Sequence, residues 1–308
     1  MSTAVGAALL AVYFLWGGTY LAMRFAVETM PPFTLAGIRF VIAGGLLFCW
    51  QLARGAGWPA GRHWRGAAVV GVLLLVGGNG GVVWAEQTVP SGLAAVIVAT
   101  VPLWMALLAW LWQGGDRPGG AVAAGLALGF AGTALLVGST GGAAAHWSGY
   151  AALVGAAAAW AAGSLYSRVA PLPAAPLTAI ALQMLTGGAG CLLMGLAGGE
   201  WAALAAAQVS LRSVLALGYL IVFGSLVGFS AYIWLLKAAD PVLVSTYAYV
   251  NPVVAVALGW LLAGETLTGR DAAAAALIVL AVVVISRASF RRTPRPQAAA
   301  AGTDGDGI

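Results

Sequence analysis

The chain has 308 residues, of which 62% are hydrophobic and only 7% are charged. Ordinary soluble domains have about 25% charged residues, so this composition excludes a soluble globular protein. Lipid must be the solvent for most of the surface, and the sequence therefore predicts a polytopic membrane protein in direct contact with the lipid bilayer.

Ten apolar runs are long enough, at ~20 residues each, to cross a hydrocarbon core of about 30 Å. In chain order they cover residues 4–27, 33–52, 66–86, 90–112, 118–138, 148–168, 175–197, 212–236, 240–263 and 270–288. Backbone amides in lipid must be hydrogen-bonded within their own segment, and these runs lack the alternation of a membrane barrel. Each run is therefore predicted to be a transmembrane helix, which makes the fold class all-α. Residues 289–308 are rich in Ala, Pro, Gly and Asp and predict a disordered tail.

The basic residues are divided unequally between the two faces that ten spans define. One face carries ten of them: Arg54, Arg62, Arg65, Arg117, Arg168, Lys237, Arg287, Arg291, Arg292 and Arg295. The other face carries Arg24, Arg212 and Arg270. This asymmetry follows the positive-inside rule and predicts cytoplasmic N- and C-termini in a bacterial-type inner membrane. The net charge of +5 thus reflects topology and does not indicate a nucleic-acid partner.

The sequence matches itself at two constant offsets. An offset of 144 pairs Trp16 with Trp160, Arg24 with Arg168, Pro32 with Pro176, Thr34 with Thr178 and Gly44 with Gly188. An offset of 150 pairs Gly78 with Gly228, Trp84 with Trp234, Leu93 with Leu243, Pro102 with Pro252, Trp110 with Trp260 and Gly114 with Gly264. Chance similarity between Ala/Gly/Leu-rich helices is the competing explanation.

These matches predict two five-helix repeats, residues 1–140 and 141–288. Five spans is an odd number, so the second repeat must enter the membrane from the opposite side. Two inverted halves around a central cavity permit one conformation open to each side, as alternating access requires. The architecture therefore favours a secondary transporter.

Prolines near the middle of corresponding spans point to a substrate site. Pro102 and Pro252 each lie about twelve residues into their span, and such paired breaks mark transporter sites, although a simple packing kink is the alternative. Ser245, Tyr249 and Pro252 share one helical face, while Asn251 and Tyr247 lie on a neighbouring face. At least one set should face the bundle interior because unpaired polar groups in hydrocarbon are costly. Hydrogen bonding between helices is the competing role.

Two further features lie near mid-depth. The run Gly77-Gly78-Asn79-Gly80-Gly81 permits close approach of another helix or of a ligand, and Asn79 supplies a donor and an acceptor. The second feature is the aligned pair Trp16 and Trp160, whose indole N–H groups need interior partners. With Thr19, Tyr20, Ser164 and Trp104 they are expected either to wall a cavity or to fill the core.

Arg39 is the one charged residue clearly inside a span, about 9 Å from the outer end at ~1.5 Å per residue. It is expected either to extend outwards to Glu86 or Glu28 or to meet a substrate carboxylate. No Asp or Glu lies in the middle of any span, and neither HExxH nor GxSxG occurs. We therefore expect no enzymatic activity, no metal site and no cofactor.

Several motifs together resemble the EamA-type transporters of the drug/metabolite transporter superfamily. They are Trp16-Gly17-Gly18-Thr19-Tyr20, Ile38-Arg39-Phe40, Pro102, Tyr249-Val250-Asn251-Pro252-Val253 and Gly264-Glu265. The resemblance covers residues 4–288 and is specific as a set. It implies a basket-shaped ten-helix bundle that exports amino acids or related metabolites. It also implies cavity roles for Asn79, Pro102, Trp160, Ser245 and Tyr249, with Ser225 and Ser230 as further candidates.

We expect a monomeric secondary transporter that exports neutral or aromatic amino acids and related small metabolites. One alternative is a multidrug exporter that binds organic cations on the faces of its Trp and Tyr rings. The first span lacks the embedded glutamate of the four-helix multidrug relatives, which disfavours simple proton exchange in that role. An alternative from another class is a channel or a non-transporting membrane scaffold.

Overall fold

The computed structural model describes residues 2–85, 97–112, 117–137, 147–251, 253–254, 257 and 269–292. Its helices are α1 Thr3–Val27, α2 Pro32–Ala53, α3 Gly61–Ala85, α4 Val101–Trp112, α5 Gly120–Val137, α6 Trp147–Tyr166, α7 Pro176–Ala197, α8 Glu200–Ala206, α9 Leu211–Ala238, α10 Pro241–Val244 and α11 Gly269–Arg292. Residues 247–251 are also helical. No strand occurs within these ranges, so the predicted all-α class is confirmed.

The described helices have the length and surface of a membrane protein. α2, α3, α7 and α9 are long and apolar enough to cross a membrane, and α1, α4, α5 and α11 contain shorter apolar stretches. Large apolar side chains are more than half exposed on the outside of the bundle, among them Leu10, Phe14, Leu46, Leu111 and Leu193. Such a surface suits lipid and not water. The count of ten spans stays a prediction, because parts of the fourth and ninth spans lie outside the described residues.

Local sequence explains where several helices begin. α2 and α7 start at the aligned prolines Pro32 and Pro176, which have the φ angle of a first helical turn and no N–H group to leave unpaired. Ser2 and Ser210 cap α1 and α9 by accepting backbone N–H bonds of 3.3 and 3.1 Å. Asp240 caps α10 in the same way. These caps satisfy amides that no earlier helical turn reaches.

The ninth predicted span is not a continuous helix. A turn at Ser245 and Thr246 separates α10 from the helical residues 247–251. The two hydroxyls bond back to the carbonyls of Val242 and Leu243, at 2.8 and 2.6 Å. Hydroxyl groups that compete for backbone carbonyls interrupt a helix in this way. The described break therefore precedes Pro252, which itself lies outside the described residues.

Three other boundaries differ from the predicted ones. α8 was not predicted, because a seven-residue helix between two spans carries no periodic signal of its own. α4 begins only at Val101, directly after a turn at residues 99–100. α11 continues to Arg292, four residues into the predicted disordered tail. The rest of that tail lies outside the described residues.

Close contact between α2 and α7 depends on aligned glycines. A Cβ on Gly44 would lie 2.8 Å from the Met184 Cβ, and a Cβ on Gly188 would lie 2.9 Å from the Val41 backbone nitrogen. No side chain fits at either position without a shift of the neighbouring helix. The equivalent approach of α5 to α11 occurs at Gly125, where a Cβ would lie 2.6 Å from the side chain opposite.

Two long helices contain π-helical segments near their middle. Residues Val72–Gly80 of α3 and Leu220–Phe229 of α9 form hydrogen bonds of the i→i+5 type. The offset of 150 places these segments at equivalent positions of the two halves. π-Helical segments are rare and frequently occur at functional sites.

Polar contacts join the helix ends on one side of the bundle, which we call the Glu28 end. Arg212 lies 3.5 Å from Glu28 in an exposed ion pair. Glu200 of α8 accepts hydrogen bonds from the Thr34 backbone N–H at 2.7 Å and from its hydroxyl at 2.9 Å. Glu200 thus caps the first turn of α2 from a distant part of the chain. We call the opposite side, where α2 finishes, the Ala53 end.

Candidate functional site

A cavity of about 100 Å³ lies in the interior of the bundle. Residues of α1, α2, α3, α4, α6, α9 and the helical residues 247–251 form its wall, together with Val98. Its hydrogen-bonding members are Trp16, Thr19, Arg39, Asn79, Trp160, Tyr247 and Asn251. The other lining residues are apolar side chains and glycines. An apolar wall with a few polar groups is the usual make-up of a small-molecule site.

Four aromatic rings pack together on the side of the cavity towards the Ala53 end, and we call them the aromatic cluster. It consists of Trp16, Trp160, Tyr232 and Tyr247. Trp16 touches all three others, with ring centroids 4.9 to 5.8 Å apart. Tyr232 lies 5.6 Å from Trp160 and 5.4 Å from Tyr247. On α1 and α3 the remaining cavity residues, such as Met23, lie further towards the Glu28 end.

Hydrogen bonds fix the orientation of both tryptophans. The Trp16 indole N–H donates to the Gly224 carbonyl at 3.0 Å, and the Trp160 indole N–H donates to the Tyr232 hydroxyl at 2.9 Å. The Tyr232 hydroxyl also lies 2.6 Å from the Ser164 hydroxyl. The prediction that these indoles face the interior and find partners there is confirmed.

Each tryptophan also packs against a glycine of a π segment. A Cβ on Gly78 would lie 2.7 Å from the Trp160 ring, and a Cβ on Gly228 would lie 2.5 Å from the Trp16 Nε1. The glycines are needed because any side chain would displace these rings. The close approach predicted for the glycine run around Asn79 is confirmed as well.

Further hydrogen bonds tie α1 to the interrupted ninth span. The Tyr13 hydroxyl lies 2.6 Å from the Thr246 hydroxyl. In the orientation that its neighbours require, the Asn251 amide nitrogen donates to the carbonyls of Tyr247 and Tyr13, at 3.1 and 3.2 Å. Of the two faces weighed from the sequence, the one carrying Tyr247 and Asn251 therefore looks into the cavity.

Arg39 and Asn79 give the cavity polar groups whose capacity for hydrogen bonds is only partly used. Arg39 is 6% exposed, and its Nε donates to the Ser225 hydroxyl at 2.7 Å. The buried Oδ1 of Asn79 finds no hydrogen-bond partner in the part of the chain that the structure describes. Arg39 does not extend outwards to Glu28, which pairs with Arg212 instead. The other expected partner, Glu86, lies outside the described residues.

Some predicted site residues lie elsewhere. The Tyr249 side chain points away from the cavity towards α5, where its ring lies against Gly129 and its hydroxyl donates to the Leu126 carbonyl at 3.4 Å. The two faces of the ninth span diverge by enough to send Tyr249 and Asn251 to opposite sides. Ser245 is buried, and the hydrogen bond found for its hydroxyl is local, to the Val242 carbonyl.

Other candidates stand near the cavity without lining it. Pro102 is buried next to the lining residue Val101, as the second residue of α4 and not as a kink within a described helix. Ser164 lies behind the aromatic cluster, on Tyr232. The side chain of Tyr20 lies outside the described residues.

Two of the remaining candidates sit on α9, and one sits on α4. Ser225 accepts the hydrogen bond from Arg39, whereas the buried Ser230 hydroxyl has no partner within the described ranges. Trp104 packs against the core and does not line the cavity.

Tyr232 is the main site residue that the sequence did not single out. It is fully buried in the centre of the aromatic cluster. A signal was present, since Tyr232 stands four residues after Gly228 and therefore shares its helical face. The offset of 150 pairs it with the aliphatic Val82, so the repeat pattern did not mark it.

Comparisons with known proteins agree with this architecture. Residues 3–138 and 147–287 each match the EamA-like transporter family. The uncharacterized inner membrane transporter YedA of Escherichia coli K12 is 40% identical over 290 residues, covering 94% of this chain and 92% of that protein. A probable amino-acid metabolite efflux pump of Salmonella typhimurium LT2 is 26% identical over 321 residues, covering 96% and 99%.

A solved crystal structure has the same fold, with a TM-score of 0.75 and 26% sequence identity. The similarity covers 94% of this chain and all of that one. The two family matches together span nearly the whole sequence. The chain is a membrane transporter and belongs to the EamA-like transporter family.

Proposed function

We propose that this transporter exports neutral amino acids, aromatic ones included, and related small metabolites from the cytoplasm by alternating access. The observation that carries the proposal is the interior cavity, where an apolar and aromatic wall holds only a few polar groups. The predicted inverted repeat, cytoplasmic termini and monomeric state are part of the same proposal.

The size of the cavity supports a small substrate. Its volume of about 100 Å³ is below the range of roughly 300–1,000 Å³ that is usual for drug-sized ligands. The aromatic cluster offers flat apolar surfaces for the substrate body, and Asn79 and Arg39 offer hydrogen bonds. The name of the Salmonella relative, an amino-acid metabolite efflux pump, agrees with this substrate class.

The alternative substrate class, organic cations, fits the described cavity less well. A cation could stack on Trp16 or Trp160, but the cavity also contains the guanidinium of Arg39. No carboxylate is found among its lining residues within the described part of the chain. Like charges in a medium of low dielectric repel strongly.

A channel would need a continuous pathway through the bundle. The aromatic cluster packs on the Ala53 side of the cavity, and hydrogen bonds hold Trp16, Trp160 and Tyr232 in place. This packing supports a carrier, in which access to each side alternates.

Counterflow in proteoliposomes tests the proposal. The purified full chain is reconstituted into vesicles loaded with unlabelled phenylalanine or leucine, and uptake of the labelled amino acid is followed. We expect saturable uptake that requires internal amino acid, with protein-free vesicles as the control. Absence of saturable exchange for every neutral amino acid would contradict the proposal. Exchange of quaternary ammonium dyes alone would favour the multidrug alternative, and a non-saturating conductance would favour a channel.

A further inference from the structure

The Arg39 guanidinium reaches the cavity wall between α1, α2 and α9. Its Nη2 lies 2.8 Å from the position that a Cβ on Gly224 would occupy, and that Cβ would also lie 3.0 Å from Thr19. The guanidinium carbon stands 4.7 Å from the centroid of the Phe40 ring. Gly224, Thr19 and Phe40 all line the cavity. The absence of a side chain at Gly224 therefore leaves room for the guanidinium at the cavity wall.

The charge of Arg39 has no carboxylate partner in the described part of the chain. The carboxylates whose side chains are described are all engaged elsewhere: Glu28 with Arg212, Glu200 with Thr34, and Asp240 at the start of α10. Arginine has five N–H donors, and the hydrogen bond found for Arg39 uses the one on Nε. A buried charge is costly unless an anion pairs with it, and no described carboxylate does so for Arg39, so this cation at the cavity wall favours an anionic occupant.

The second polar group of the cavity complements the first. The Asn79 Oδ1 is a buried acceptor that no donor among the described residues reaches. An acceptor and a guanidinium in one small cavity match a molecule that carries both an N–H group and a carboxylate. The planar guanidinium suits the two oxygens of a carboxylate, which it binds through parallel hydrogen bonds.

We propose that Arg39 binds the carboxylate of the transported molecule. The substrate class is then small apolar or aromatic carboxylates, amino acids included, and not amines that lack a carboxylate. The inference rests on the proposed function and narrows it. The aromatic cluster receives the apolar body of the substrate, and Asn79 receives an amino group where one is present. Decarboxylated amines are excluded because they add a positive charge beside Arg39.

The second half of the chain provides a matched control. The offset of 144 aligns Arg39 with Gln183, which is fully buried on α7 and does not line the cavity. Neither polar atom of the Gln183 side chain has a hydrogen-bond partner among the described residues. Arg39→Gln therefore copies a side chain that the other half accommodates at the aligned position. Gln183→Met removes a buried polar group of similar depth without touching the cavity.

The experiment compares three ligands that share one aromatic ring. Phenylalanine counterflow is measured with 3-phenylpropionate, which keeps only the carboxylate, and with phenethylamine, which keeps only the amine, as competitors. In the wild-type protein we expect competition by 3-phenylpropionate and none by phenethylamine. Arg39→Gln should raise the 3-phenylpropionate concentration for half-inhibition about 30-fold or more, as expected when a buried charge pair loses one partner. Arg39→Lys should be intermediate, and Gln183→Met should match the wild type.

Equal competition by phenethylamine and 3-phenylpropionate would overturn the inference, as would unchanged competition in Arg39→Gln. If Arg39→Gln aggregates, the inference is still tested by the two competitors on the wild-type protein and by the Arg39→Lys variant. The same compounds are tested for protection of the detergent-solubilised protein against heating. Protection by 3-phenylpropionate that requires Arg39, without any amino-acid counterflow, would overturn the proposed function and support the inference. If 3-phenylpropionate neither protects the protein nor competes for transport, the inference is overturned.

Discussion

Trp16 and Trp160 occupy aligned positions of the two halves, and each packs on the glycine of a π segment from the other half. Their surroundings differ. Trp16 is 8% exposed and donates to a backbone carbonyl, whereas Trp160 is only partly buried and donates to the Tyr232 hydroxyl. One indole is thus held by the main chain, which no substitution removes, and the other by a side chain. The cavity wall at Trp16 is therefore fixed by the backbone, whereas the wall at Trp160 depends on the side chain of Tyr232.

The polar groups that line the cavity also differ between the aligned positions of the two halves. Asn79 aligns with Phe229 at an offset of 150, and Arg39 aligns with Gln183 at an offset of 144. The first half therefore contributes the charge and the Asn79 amide to the cavity, while the second half contributes an aromatic ring at the position equivalent to Asn79. Two aligned halves can thus keep their packing glycines and still differ in the side chains that line the cavity.

Alanine substitution of the two tryptophans should have the largest effect. We expect Trp16→Ala to lower the free energy of unfolding by about 3 kcal/mol, since it removes a buried ring that contacts three other rings. Trp160→Ala should destabilise less, because Trp160 is partly buried, and should reduce transport while the chain is still produced. Thermal unfolding in detergent and counterflow measure the two effects. Equal destabilisation by both variants would contradict the difference between the two walls.

Adding one methyl group to each packing glycine should have the next largest effect. Gly228→Ala and Gly78→Ala should each cost about 1–3 kcal/mol through overpacking. The cost should be larger at Gly228, because Trp16 is held by the Gly224 carbonyl and has less freedom to move away. Gly155→Ala, where a Cβ meets nothing within 4 Å, is the control. A larger effect at Gly78 would reverse the proposed order of rigidity.

A double-mutant cycle should isolate the hydrogen bond that only the second wall has. Trp160→Phe and Tyr232→Phe should be coupled by about 1 kcal/mol in unfolding free energy, because each removes one partner of the same bond. Trp16→Phe and Tyr232→Phe should show weaker coupling, since their rings touch but the Trp16 indole N–H donates to the Gly224 carbonyl and not to Tyr232. Coupling of similar size in both cycles would show that ring packing, and not the hydroxyl, accounts for the interaction.

Tyr249→Phe should have the smallest effect. The hydroxyl lies 3.4 Å from the Leu126 carbonyl, a long hydrogen bond, and the ring does not line the cavity. We expect transport within about twofold of the wild type and a stability loss under about 1 kcal/mol. Asn79→Ala serves as the comparison, because it should reduce transport clearly. Strong loss of transport in Tyr249→Phe would return that residue to the substrate site.

The sequence predicted most helices to within a few residues because apolar length and paired prolines mark them directly. It also predicted that the mid-span tryptophans turn inwards, since an indole N–H in lipid needs a partner. It did not predict which face of the ninth span meets the cavity, because the turn at Ser245 and Thr246 depends on hydroxyl bonds that break the helical register. The sequence also did not predict the hydrogen-bond partner of Arg39. Ser225 is distant in sequence, and only the packing of α2 against α9 brings the two side chains together.

The π segments change how residues along α3 and α9 should be assigned to faces. An α-helical wheel turns by about 100° per residue, but i→i+5 hydrogen bonds widen the turn and reduce that angle. A wheel drawn for α3 from its first turn therefore loses phase between Val72 and Gly80. A scan of side-chain accessibility along α3 therefore needs one helical wheel for the residues before the π segment and a second wheel for those after it. A single wheel fitted to the whole helix would assign Val82 to the wrong face.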